Sequence, residues 1–173
     1  DFFMPGEFEV HKGCILNGQA DRVPGEMGKR SKKAFAAVIE AIARSEAVFL
    51  AVRKEDVAEA TNFANELKRK QIPYPVTVFE AKTDDAWARD IGPTFGGIDK
   101  ANEEWMRAVN WEFNAWGEKS MGFMLRGSLI MHLQKRFLLA GSMNVMTQLF
   151  VLEGGSIHSD GEGTVLVTAS CLV

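Results

Sequence analysis

The stretch from Thr83 to Asp90 sets three carboxylates (Asp84, Asp85, Asp90), one guanidinium (Arg89) and one indole (Trp87) ahead of the turn Ile91-Gly92-Pro93. It is too polar for a buried strand and too bulky for an unstructured linker, so it reads as a shaped loop carried by a scaffold. A tryptophan three residues before an aspartate can offer a flat face and a carboxylate to one planar cation, the combination a guanidinium group requires. A plainer reading has Arg89 pairing locally with an aspartate while Trp87 plugs the core. Taken alone, the stretch favours the plainer reading.

The elements that must position this loop follow from periodicity. Phe8 and Val10 alternate with Glu7, Glu9 and His11, which predicts a strand near Glu7 to His11, followed by a loop from Gly13 to Gly28 rich in Gly, Pro and Asn. From Lys29 to Ser45, the recurrence of Phe35, Val38, Ile39 and Ile42 predicts an amphipathic helix. Ala47 to Val52 is a continuous apolar run suited to a strand buried on both faces. A second helix is predicted over Lys54 to Gln71, with Glu55 and Asp56 near its start and Lys68, Arg69 and Lys70 near its end, as the helix dipole favours. Pro73 and Pro75 stop it, and Val76 to Phe79 starts the next strand. The polar loop therefore follows a strand end, where α/β folds commonly mount ligand groups.

Beyond it, Thr94 to Ile98 and Trp105 to Trp111 predict a hairpin around Asp99 to Glu103, after which Phe113 to Gly117 leaves the sheet. Glu118 to Gln148 carries the weakest pattern. A helix over Leu125 to Leu139 fits it only loosely, and its methionines would also suit a partner surface. Leu149 to Leu152 and Thr164 to Thr168 are predicted strands on either side of Gly154 to Gly163. Strands alternating with helices give an α/β fold.

Composition narrows the function classes. The 173 residues suffice for one domain with a sizeable core, at 46% hydrophobic and 25% charged residues. Twenty basic and 23 acidic residues, net charge −3, are interspersed and leave no basic field for a nucleic-acid backbone. Cys14 and Cys171 form neither a disulfide framework nor a metal-ligand spacing, so a reducing, cytoplasmic setting without a metal is expected. No leader-like signal opens the chain and runs such as Ala47 to Val52 are too short to cross a bilayer, so no membrane association is expected.

Five motifs, in order, then carry a resemblance: Met4-Pro5-Gly6-Glu7-Phe8-Glu9, Lys33-Ala34-Phe35-Ala36-Ala37-Val38, Asp84 to Phe95, Phe113-Asn114-Ala115-Trp116-Gly117 and Leu152-Glu153-Gly154-Gly155-Ser156-Ile157-His158. Together they resemble the agmatine deiminases, relatives of the bacterial peptidyl-arginine deiminases, over roughly the first half of such an enzyme. The resemblance implies a partial pentein fold, an α/β propeller of ββαβ-type modules, with a first module over about residues 1–98 and a second over about 99–173. It implies hydrolysis of agmatine to N-carbamoylputrescine and ammonia, a step towards putrescine, without metal or cofactor. It further implies that Asp90 accepts hydrogen bonds from the substrate guanidinium, that Trp87 shapes the pocket, and that Glu153 is a second carboxylate facing the substrate nitrogens. Asp84 and Asp85 match the motif too, with loop capping the preferred role. Arg89 would anchor the loop by a salt bridge, and Trp116 either lines the pocket or packs in the core.

The departures matter equally. The loop after Gly13-Cys14 lacks the aromatic residues of the family, and the catalytic Gly-His-x-Asp motif and the Gly-rich segment with the nucleophilic cysteine do not occur. His158, in His158-Ser159-Asp160, and Cys171 are weak substitutes, better read as a strand-edge residue and a structural thiol. Three readings stay open: part of an agmatine deiminase, completed by a homo-oligomer or by the rest of a longer chain; a deiminase acting on arginine or peptidyl-arginine; or an inactive binding or assembly module.

Overall fold

A computed structural model of the chain describes residues 3–18, 26–81, 86–97, 106–114, 116 and 144–171. They fall into two compact units, Val10–Ala88 on one hand and Asp1–Glu9 with Arg89–Val173 on the other.

In the unit Val10–Ala88, strand β1 (Cys14–Asn17), helix α1 (Glu26–Ile42), strand β2 (Val48–Val52), helix α2 (Val57–Arg69) and strand β3 (Val76–Glu80) succeed one another, and a short 3-10 turn at Lys54–Asp56 leads into α2. The three strands form a parallel sheet in the order β1-β2-β3, with Leu50 opposite Leu16 on one side and Val78 on the other. The central strand is the continuous apolar run, buried at Val48, Leu50, Ala51 and Val52 as a strand covered on both faces must be. Its alternate residues Val48, Leu50 and Val52 form one core cluster with Ile39 and Ala43 near the end of α1 and with Leu67 of α2, joined at the margin by Phe35, Ile42 and Phe63. Val38, expected on the buried stripe of α1, is instead exposed. Helix α2 ends before the prolines: Gln71 takes the left-handed conformation at φ 58° and the Ile72 N–H reaches back to the Leu67 carbonyl, a C-terminal cap.

The first strand departs from expectation. Glu7 to His11 is not a strand; the Glu9 N–H closes a turn on the Gly6 carbonyl, and Val10 is 99% exposed. The strand lies at Cys14–Asn17, inside the expected loop, where Cys14 N–H and Gly18 N–H bond the carbonyls of Ala47 and Ala51 beside β2. Alternation marks a residue pattern that a sheet could use, but a strand needs a partner edge, and only the short run Cys14-Ile15-Leu16-Asn17 reaches one.

In the second unit, β4 (Thr94–Gly97) and β5 (Met106–Glu112) form the expected antiparallel pair, and β6 (Asn144–Val151) lies parallel to β5 on its far side. Trp111 ties the sheet together: its Nε1–H donates to Thr94 Oγ1 at 2.9 Å, and its ring meets that of Phe150 at 4.9 Å between centroids. Phe3 bridges to Gly97 through a reciprocal pair of backbone hydrogen bonds. Strands β7 (Ile157–Ser159) and β8 (Val165–Val167) make a separate antiparallel pair. The hairpin turn at 99–103 and the helix expected at 125–139 lie outside the described residues. No helix among the described residues is long and apolar enough to cross a membrane.

Candidate active site

The polar stretch enters the second unit through helix α3 (Ala88–Ile91), a single turn pinned by the buried Ile91. Strand β6 runs into buried Leu152 and Glu153, and a 3-10 turn, Gly154–Ser156, follows before β7. That turn is held locally, because the Ser156 N–H and Oγ–H both donate to the Glu153 carbonyl, at 3.0 and 2.7 Å. Glu153 is thus set at a strand end in an extended conformation, only 7% exposed.

The two segments meet through consecutive residues. The Gly155 N–H donates to Asp90 Oδ1 at 3.1 Å, and the Arg89 Nε–H donates to the Gly154 carbonyl at 3.1 Å. The approach is close enough to require glycine: a Cβ on Gly155 would stand 2.1 Å from Asp90 Oδ1, and one on Gly154 would stand 2.2 Å from the Arg89 carbonyl oxygen. Arg89 also reaches Glu7 of the Met4–Glu9 segment, Nη2 to Oε1 at 2.6 Å. The anchoring salt bridge expected of Arg89 is therefore made, to a carboxylate remote in sequence rather than to a neighbouring aspartate.

Electrostatically the site favours a bound cation. Burial, and secondly the negative charge of Asp90, push the Glu153 carboxyl above its ordinary value of 4.5. A buried carboxylate whose ionisation is opposed by burial and by a neighbouring negative charge is relieved by a cation beside it, and a planar guanidinium has donors enough for both carboxylates. The linkage sign follows from the raised value. Glu153 contributes stability that is fully present below about pH 4.5, where it is protonated in both states, and that is lost as pH rises through its higher folded value. Glu153→Gln is therefore expected to raise Tm relative to the parent at pH 7, with the difference shrinking as the pH is brought towards 4.5. Parallel thermal melts of the two proteins across that range check it. A constant difference would show that the carboxyl is not strained by its surroundings.

The other candidates are placed as follows. Trp87 is 61% exposed and does not plug a core. Trp116 is exposed, lies edge-on to buried Phe113 at 5.1 Å, and adopts φ 58°, a backbone region costly for a bulky side chain and often kept where function needs it. Asp85 lies outside the described residues. His158 is exposed on β7, and the carboxylate of Asp160 is engaged in a turn, accepting the N–H groups of Glu162 and Thr164 at 2.8 and 3.0 Å. Those hydrogen bonds hold Asp160 below its ordinary value, the Glu162 N–H foremost. Cys171 is half-buried in a 3-10 turn, Ala169–Cys171. Among the described residues no group of three or more His, Cys, Asp and Glu is arranged to hold a metal ion. Sequence reasoning did not foresee Glu7 as the partner of Arg89, although Glu7 lies within the first of the five motifs.

This arrangement, two carboxylate-bearing segments clamped through Gly154-Gly155, sits in a chain that belongs to the Porphyromonas-type peptidyl-arginine deiminase family, whose pattern it matches over residues 3–173. The agmatine deiminase of Pseudomonas savastanoi pv. phaseolicola is 42% identical over 147 residues, covering 84% of this chain and 37% of that protein. A solved structure described as the agmatine deiminase of Enterococcus faecalis catalysing its reaction superposes with a TM-score of 0.76 at 34% identity, covering 99% of this chain and 44% of that one. The chain spans less than half the length of the curated relatives it matches.

Proposed function

We propose that this chain is the N-terminal part of a guanidine-group hydrolase of the agmatine deiminase type, converting agmatine and water to N-carbamoylputrescine and ammonia. The observation that carries the reading is the clamp of Asp90 onto the turn after Glu153, which brings together two carboxylates remote in sequence, one of them buried and held above its ordinary value. Asp90 uses Oδ1 for the Gly155 N–H and, among the described residues, keeps Oδ2 for a ligand. Glu153 faces the substrate nitrogens, and Trp116 lines the pocket.

The chemistry assigned to the whole enzyme is attack of a cysteine thiolate on the guanidinium carbon, loss of ammonia from the tetrahedral adduct, and hydrolysis of the thiouronium intermediate with a histidine carrying protons. In that scheme the residues of this chain hold the cation and fix the orientation of its carbon. In this reading the chain contributes two modules of a pentein ring, a first over about residues 1–98 and a second over about 99–173. Incubating a protein of the family's full length that carries this sequence with agmatine, and separately with arginine, tests the reading. Equal amounts of ammonia and N-carbamoylputrescine from agmatine support it, while citrulline formed only from arginine would move the substrate class.

A partial ring leaves apolar surface without cover. Met146 and Phe150 of β6 and all three residues of β8, Val165, Leu166 and Val167, are exposed. The isolated 173-residue protein is therefore expected to dimerise or aggregate, and size-exclusion with light scattering reads the outcome. A sharp, cooperatively unfolding monomer at 19.1 kDa would instead favour an independent binding module.

A further inference from the structure

Asp90 and Glu153 belong to segments that the sequence keeps far apart, and Arg89 is the side chain that reaches across. Its guanidinium spends two different donors on two different partners: Nε–H on the Gly154 carbonyl at 3.1 Å and Nη2 on Glu7 Oε1 at 2.6 Å. One residue along, Asp90 Oδ1 receives the Gly155 N–H. Adjacent residues of α3 thus grip adjacent residues of the turn, one donating and one accepting, so the turn cannot slide along the helix without breaking both bonds. Glu7 fixes the third corner through its ion pair with Arg89.

We infer that the Glu7–Arg89 pair is a positioning device for the guanidinium site, setting where Asp90 stands relative to Glu153 by clamping the turn Gly154-Gly155, and that Glu7 and Arg89 touch no substrate themselves. This rests on the reading of Asp90 and Glu153 as the cation-holding carboxylates. Both partners of the ion pair are about half exposed, so the pair contributes little to global stability, and its effect falls on local placement. Arginine is needed because a lysine ammonium carries the charge without the planar fork that serves two acceptors at once. A misplacement of about 1 Å at a binding constellation costs on the order of 10²-fold in rate.

The test uses a protein of the family's full length carrying this sequence. Arg89→Ala is expected to lower kcat/KM for agmatine by on the order of 10²-fold, mainly through KM, with Tm unchanged. Arg89→Lys is expected to behave like Arg89→Ala. Glu7→Gln is expected to show a smaller loss that vanishes in the Arg89→Ala background, as for residues acting through one another. The acid limb of the pH profile of kcat/KM should also move to lower pH in Arg89→Ala, because a released Asp90 no longer raises Glu153; a merely structural role would leave that limb in place.

Full activity in Arg89→Lys, or additive losses for Glu7→Gln and Arg89→Ala, overturns the inference. If Asp90→Asn and Glu153→Gln are themselves silent, the site reading fails; if they are crippled while the Arg89 variants are not, only the positioning role fails. Should the parent show no turnover at all, the clamp is read by hydrogen exchange at the Gly155 amide. Faster exchange in Arg89→Ala and Glu7→Gln supports it, and an unchanged rate overturns it.

Discussion

Purified as 173 residues, the protein is expected to release no ammonia from agmatine. The argument is chemical. A guanidinium carbon is resonance-stabilised and water attacks it poorly, and carboxylates that only hold the cation make that carbon less electrophilic still. Turnover needs an activated sulfur nucleophile beside a proton-carrying histidine. Among these residues the histidines are His11, His132 and His158, none of them preceded by glycine as a Gly-His-x-Asp motif requires, and the cysteines are Cys14 and Cys171. His158 stands exposed on β7, and the aspartate two residues on is committed to a turn. Cys171 lies in a 3-10 turn closed by its own N–H on the Thr168 carbonyl. A coupled ammonia assay on the purified protein checks the expectation. Ammonia production that disappears in Cys171→Ser would overturn it, and with it the structural role of that thiol.

Replacing Asp90 with Asn in a protein that has the complete catalytic machinery is expected to cost about 2–4 kcal/mol of binding or transition-state stabilisation, or about 30-fold to 1,000-fold in kcat/KM. The substitution keeps the size of the side chain and an oxygen that can still accept the Gly155 N–H, so the clamp survives while the charge is lost. What remains is a cation with only the buried carboxylate of Glu153 as its partner. Glu153 would at the same time lose the neighbour that raises its pKa, which partly offsets the effect by making Glu153 a readier anion. The net sign is still a loss, because a charged acceptor for the cation has been removed. Steady-state kinetics against agmatine measure it, and an unchanged kcat/KM would remove Asp90 from the substrate site.

Local pattern determined more of this protein than of most of its contacts. The alternation of β and α in the unit Val10–Ala88 was legible because each helix and the central strand carries its own period, and Phe35, Ile39, Ile42 and Leu67 do reach the core that the period assigns them. The antiparallel pair of β4 and β5 was legible for the same reason. The first strand was not, since Glu7 to His11 and Cys14 to Asn17 are both plausible strands and only the availability of an edge beside β2 chooses between them. It was the resemblance of the motifs that implied Asp90 and Glu153 as carboxylates for a guanidinium. No local rule could show that Asp90 meets the turn after Glu153, that Arg89 bonds Gly154 and Glu7, or that Gly154 and Gly155 must lack side chains for the approach. Those contacts join segments separated by most of a domain. Chain folding alone brings them together, because side-chain periodicity reports which face a residue occupies and carries no information about what stands opposite it.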